Sequence, residues 1–489
     1  MSTINASSEQ NSMLIAPRGM YVNTRRWTRR KLIALGAMCV GEAALVACGE
    51  TKIITQTKTV EVEKIIEVEK IVEVEIAPAA PASRKNVELR VAFWGTIEDT
   101  PTWQRGLDVL KGMHPHISYR WEDASWGDYW TKLNTMLAGG APPDIIGMVT
   151  MYSQQYIRQG VLMPLTALSE RDKNDNGDFW PANLIGYNDE AGETYGLPYD
   201  VSTICVYYNM DILEESGANI PEGRYTWDDF VEMVRKTSII DGDKVERFGS
   251  DKLIGTGWSL DAHLRPNGAS TLNKDGTKSA LSDPKAVQVF RDWQQLAADR
   301  MLPTRYDKEQ SPLFENGNMT FTASVPSRVQ TYKERIGSPY GGGNFRWDVA
   351  YVPDRVQKGN SVAGGGFSGT LKAYENHPEE TWEFLSAYTS SDVLRITIAE
   401  PGRGICGRQS CADAMLTSEN CRHQEYFLDN LSYASQWCHP SYNEITAVQG
   451  RYLDRVVMEG EDPAILLAQA DAEIDPIVEE GGAAILSGY

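Results

Sequence analysis

Residues 126–150 read WGDYWTKLNTMLAGGAPPDIIGMVT. The first half has the composition of a helix, Gly139-Gly140 and Pro142-Pro143 punctuate it, and Ile145–Val149 is a short apolar run of strand type. Upstream, VELRVAFWG (87–95) alternates apolar and polar residues, as a half-buried strand does, and runs into a loop. Strand, helix and strand at this spacing form a βαβ unit, which argues an α/β fold with parallel pairing. In open parallel sheets ligands sit beyond the carboxyl ends of the strands. That rule puts Trp94 and the Thr150–Tyr152 loop at a site.

The unit is embedded in a long acidic chain. About 405 residues follow Arg84, too many for one hydrophobic core, so two lobes are expected. Before them, residues 1–47 read as a targeting segment. Arg18, Arg25, Arg26, Arg29, Arg30 and Lys31 precede an apolar run from Leu32 to Ala47 that is too short to span a bilayer. Thr28-Arg29-Arg30-Lys31-Leu32 resembles a twin-arginine export signal. Leu45-Val46-Ala47-Cys48 resembles a lipobox, which implies cleavage before Cys48, acylation of its thiol and tethering to the outer face of the cell membrane. Residues 48–85 then form a linker. EVEKII, EVEKIV and EVEI repeat every six residues from Glu61 and give way to an Ala/Pro hinge, so a charged stalk is expected, with an oligomerising stem as its rival.

The formal charge is −20, and loss of the leader's six basic and two acidic residues makes it −24. Such a surface repels nucleic acid. Cys406, Cys411, Cys421 and Cys438 cluster near the end of the chain, and outside the cytoplasm four such cysteines are expected to form two disulfides; three connectivities are open, of which loop length favours Cys406–Cys411 with Cys421–Cys438. Their spacing does not suit zinc, and no metal or cofactor is expected. DKNDNG (172–177) begins like a calcium loop but has Asn183 where the bidentate glutamate belongs, so it reads as a turn. No HExxH or GxSxG motif occurs. Gly364–Gly366 with Gly369 fits GxGxxG formally, but TLKAY after it reads as a strand, so dinucleotide binding is set aside.

Several segments resemble the family 1 extracellular solute-binding proteins of ABC importers, the group that contains maltose-binding protein. They are W-x-D-Y-x-x-K-L (126–133), A-G-G-x-x-P-D-I (138–145), Q-G-V-L-x-P-L (159–165), Y-G-L-P (195–198), V-Y-Y-N-M-D-I-L (206–213) and T-W-D-D-F (226–230). F-E-N-G-N-M (314–319), W-D-V-A-Y-V-P (347–353) and E-E-T-W-E-F-L (379–385) follow in family order. Cys205 and Tyr199 depart from the pattern. The resemblance implies a type II periplasmic-binding-protein fold, two α/β lobes of parallel-rich sheets flanked by helices and linked by a hinge. Residues 86–201 with 366–420 are expected in one lobe and 202–365 with 421–489 in the other. It further implies a monomeric, extracytoplasmic, lipid-anchored receptor that holds a small-molecule ligand, a sugar or oligosaccharide, and passes it to ABC permease subunits. A surface-anchored glycosidase or lyase is the alternative.

Sugar rings offer apolar faces to aromatic side chains and hydroxyls to polar ones. Ligand contacts are therefore expected from Trp94, Trp126, Tyr152, Trp258, Asn267 and Trp437. Polar contacts are expected from Asp200, Arg328 and Arg403, and from the backbone at Gly365 and Gly366. No catalytic residue is nominated.

Overall fold

The computed structural model describes residues 84–95, 100–304, 307, 312–417 and 420–488. The leader, Cys48 and the repeat-bearing stalk lie outside the described residues.

Val87–Trp94 is a strand whose Leu89, Val91 and Phe93 are fully buried on one face. It pairs in parallel with Ile117–Ala124 on one side and Ile145–Val149 on the other. Between them run the helices Thr100–Met113 and Trp126–Ala138. The second starts where the Ser125 hydroxyl accepts a hydrogen bond from the Asp128 N–H, and it buries Tyr129 and Leu133 one turn apart. Gly139 closes it, and every residue of Ile145–Val149 is buried. Gly147 is required there because a Cβ would stand 2.5 Å from the Phe93 ring. The strand–helix–strand expectation therefore holds in full.

Gly365–Gly369 returns more than 200 residues later and pairs antiparallel with both Ile145–Val149 and Leu197–Pro198, completing a five-stranded sheet. The glycine run is thus itself the strand. Leu371–Asn376 after it is a helix capped by Thr370, not the strand expected of TLKAY. Its glycines lie in a sheet rather than in a strand-to-helix loop, so the dinucleotide reading still fails.

The second five-stranded sheet is built on Cys205–Asn209, antiparallel to Trp347–Ala350 and Met319–Ser324. Met319–Ser324 runs parallel to Lys244–Ser250, which forms a hairpin with Ile239–Asp241. Parallel pairing accordingly dominates only around Val87–Trp94, since strands inserted by returning chain pair antiparallel. T-W-D-D-F marks a capping box, Thr226 with Asp229, on the helix Trp227–Thr237.

Short segments join the two sheets. Asp200–Val201 lies four residues before Cys205 and pairs with Ile405–Cys406, while Asn360–Ser361 lies just before Gly365 and pairs with Ala434–Ser435. Buried polar side chains brace these crossings. Asn360 Nδ2 donates to the Ile204 carbonyl at 2.8 Å, and the Thr203 hydroxyl donates to the Phe427 carbonyl at 2.8 Å. Among the described residues no helix is long and apolar enough to cross a membrane, and no group of three His, Cys, Asp or Glu is placed to hold a metal ion.

All five described cysteines are buried free thiols. The expected disulfides are not formed. Cys406 and Cys411 are neighbours whose thiols interact, but Cys421 sits beside Asp348 and Cys205, and Cys438 beside Gln436. Loop length misjudged the second pair because Cys438 belongs to the strand Ala434–Cys438, held between Asn360–Ser361 and Ile485–Ser487.

Candidate functional site

A cavity of about 380 Å³ opens where the crossings meet the two sheets. Trp94, Trp126 and Trp258 all line it, as do Asp200, Arg328, Gly365 and Arg403. The three tryptophans come from distant sequence. Trp94 ends its strand, whereas Trp126 and Trp258 each open a helix. The Trp94 ring stacks on Phe93 at 4.5 Å and meets the edge of Trp126 at 5.1 Å and 89°. Trp126 is 43% exposed, high for a ring of that size, so its free face is available to a ligand. Trp258 is anchored through its backbone N–H, which donates to the Tyr442 hydroxyl at 3.1 Å.

Asp200 lines the same cavity from the first crossing. Its Oδ1 accepts the Gly365 N–H at 2.6 Å, and Asn183 Nδ2 donates to its carbonyl at 2.7 Å. Burial pushes its carboxyl up to about 6, against the Gly365 N–H and the nearby Arg403, which favour the anion. A carboxyl raised from 3.8 in this way favours the fold most at low pH, and that contribution is lost as pH rises through about 6. Asp200→Asn keeps an acceptor for Gly365. It is therefore expected to melt higher than wild type above about pH 7 and to lose that advantage below about pH 4. Melting curves across that range check it, and a variant less stable at every pH contradicts it.

Arg403 is buried, 8% exposed. Its guanidinium lies 4.6 Å from the centroid of the Trp103 ring. Arg328 opens the helix Arg328–Arg335, and Gln330, Thr331, Glu334 and Arg335 of that helix share the cavity wall.

Other expected contacts lie elsewhere. Trp437 is 1% exposed inside its strand, packed on Tyr442 at 4.8 Å, and is core. Asn267 ends a short 3₁₀ turn with its Nδ2 bonded to the Lys285 carbonyl, away from the cavity lining. Tyr152 stands behind the lining, stacked on Trp126 at 6.2 Å. Gly366 is also outside it, and both glycines answer to packing. A Cβ would come 2.1 Å from the Tyr199 hydroxyl at Gly365 and 2.7 Å from the Leu197 carbonyl at Gly366. The Gly365 N–H is already given to Asp200 and is not free for a ligand.

Met151, in the Thr150–Tyr152 loop expected at a site, also lines the cavity; residues the sequence reading missed include Tyr199, Ser202, Ser324 and Ser327. Tyr199 and Ser202 flank Asp200, and the two serines sit in TFTASVPSR, so proximity to an expected contact was their only signal. A polar hollow of about 500 Å³ lined by Asp211, Glu215 and Arg247 holds no tryptophan and no crossing residue.

A family model described as bacterial extracellular solute-binding protein matches residues 108–419. A binding protein of Brucella abortus (strain 2308) is 22% identical over 413 residues, covering 83% of this chain and 96% of the relative. The arabinooligosaccharide-binding protein of Bacillus subtilis (strain 168) is 31% identical over 227 residues, 44% of this chain and 49% of that protein. The solved ABC substrate-binding protein of Listeria monocytogenes, in complex with cycloalternan, superposes with a TM-score of 0.69 at 20% identity, over 80% of this chain and 98% of the other. With a family model covering well over half its length, and a two-lobed fold organised around one aromatic cleft, the chain belongs to the bacterial extracellular solute-binding proteins.

Proposed function

We propose that the protein captures a saccharide, an oligosaccharide by preference, between two hinged lobes and delivers it to the permease of an ABC importer. The observation that carries this reading is the convergence of Trp94, Trp126 and Trp258 on one cavity with charged and hydroxyl groups between them. Aromatic rings cover the apolar faces of a sugar and polar groups take its hydroxyls. The ligands named for the Bacillus and Listeria proteins, arabinooligosaccharide and cycloalternan, support a carbohydrate. Residues 86–201 with 366–420 form one lobe in this reading and 202–365 with 421–489 the other, and binding favours the closed arrangement.

The cleft binds without chemistry. Incubation with a mixed glycan pool tests this: the saccharide recovered from the protein should be unchanged, and shortened or eliminated products would make it an enzyme.

Membership of the family implies work outside the cytoplasm. Anchoring belongs to the proposal: Cys48 is the first mature residue and carries the lipid, and the protein is a monomer. Cys48→Ser should move the protein from the membrane pellet to the soluble fraction. Unchanged pelleting of that variant contradicts the anchor.

A further inference from the structure

The wall of the cavity between Ser324 and Arg335 differs in chemistry from the aromatic wall. Ser324 ends a strand, Ser327 precedes the helix Arg328–Arg335, and Thr331 lies one turn in from Ser327. Among the described residues no group pairs with the hydroxyls of Ser324, Ser327 and Thr331 or with the guanidinium of Arg328, though all four residues line the cavity. The other charged groups of the lining are engaged. Asp200 takes the Gly365 N–H, Glu334 accepts from Gln330 Nε2 at 3.2 Å, Arg335 leans to Glu315 at 4.0 Å, and Arg403 lies over Trp103 and beside Asp200.

The lining is also less acidic than the chain as a whole. The chain carries 67 acidic against 47 basic residues, yet its cavity presents the guanidinium groups of Arg328, Arg335 and Arg403 against the carboxyls of Asp200 and Glu334. A cleft with low-dielectric walls focuses that field. A guanidinium offers five donors in a planar fork that fits a carboxylate or a phosphoryl group two bonds at a time, and adjacent hydroxyls extend the set.

We propose that the saccharide held in this cleft bears an anionic group, and that Arg328, with the hydroxyls of Ser324, Ser327 and Thr331, receives its oxygens while the tryptophans hold the rings. The inference rests on the reading of the cleft as a saccharide site. It makes Arg328 the residue that selects acidic over neutral sugars, and it makes binding salt-sensitive.

Calorimetric titration tests it with matched gluco-, galacto- and manno-oligosaccharides in three forms: neutral, uronate and phosphate ester. The acidic member of at least one set should bind about tenfold or more tighter than its neutral partner, and the preferred form identifies the anion as carboxylate or phosphate. In Arg328→Gln the ratio of acidic to neutral affinity should fall to about one, with Arg328→Lys in between because ammonium keeps the charge but not the fork. Neutral sugars bound as tightly as both acidic forms, or an unchanged ratio in Arg328→Gln, overturns the proposal and leaves the saccharide reading intact. Binding of no saccharide in any form overturns both.

Discussion

Trp94→Ala and Trp258→Ala should each weaken saccharide binding by about one to two decades in Kd. A ring buried against a sugar face contributes roughly 1.5–3 kcal/mol by area, and every 1.4 kcal/mol or so is a factor of ten. Trp94 ends a strand of the first sheet and Trp258 opens a helix far along the chain, so a ligand touching both bridges segments distant in sequence that line one cavity. A ligand shifts a conformational equilibrium only by its differential affinity, and two-sided stacking supplies that difference. Circular dichroism and melting of each variant separate lost contact from lost fold. Wild-type affinity in a folded Trp94→Ala or Trp258→Ala would remove that ring from the site. Trp126→Ala serves as a third probe, since Trp126 is the most exposed of the three.

Gly365→Val should be the most damaging single change at the crossings. Tyr199, which a Cβ at this position would strike, is itself buried against Phe93 at 5.7 Å, Trp103 at 5.1 Å and Phe367 at 5.3 Å, and cannot swing aside. Overpacking of this kind costs about 1–3 kcal/mol, and here it also pries the Gly365 N–H from Asp200. Lower melting temperature together with weakened binding is expected. Gly365→Val with native stability and native affinity would mean that the crossing tolerates movement the packing forbids.

The βαβ unit was legible because its signals are local: alternation in 87–94, a capping serine, and a Gly/Pro turn. The place of Trp94 and Trp126 on the cavity was legible for the same reason, as each stands at the end of an element whose direction the sequence gives away. Trp437 was not. Its strand is sandwiched between Asn360–Ser361 and Ile485–Ser487, partners far off in sequence, and nothing near Trp437 announces them. Asn267 misled because its side chain serves the Lys285 carbonyl, a tertiary contact invisible from R-P-N-G. The Ser324–Arg335 wall was half legible: Arg328 stood out as a charge after a strand, while Ser324, Ser327 and Thr331 are ordinary residues until folding sets them on one cavity. TLKAY failed as a strand because Thr370 accepts the Ala373 N–H, a cap that starts a helix.

A crystal structure with the tightest-binding saccharide of the panel tests the central claim most directly. Sugar rings should lie in van der Waals contact with Trp94 and Trp258, within hydrogen-bond reach of Arg328, and inside the cavity that Asp200 lines. A saccharide seated instead in the polar hollow of Asp211 and Arg247, or anywhere that leaves the three tryptophans bare, would contradict the account.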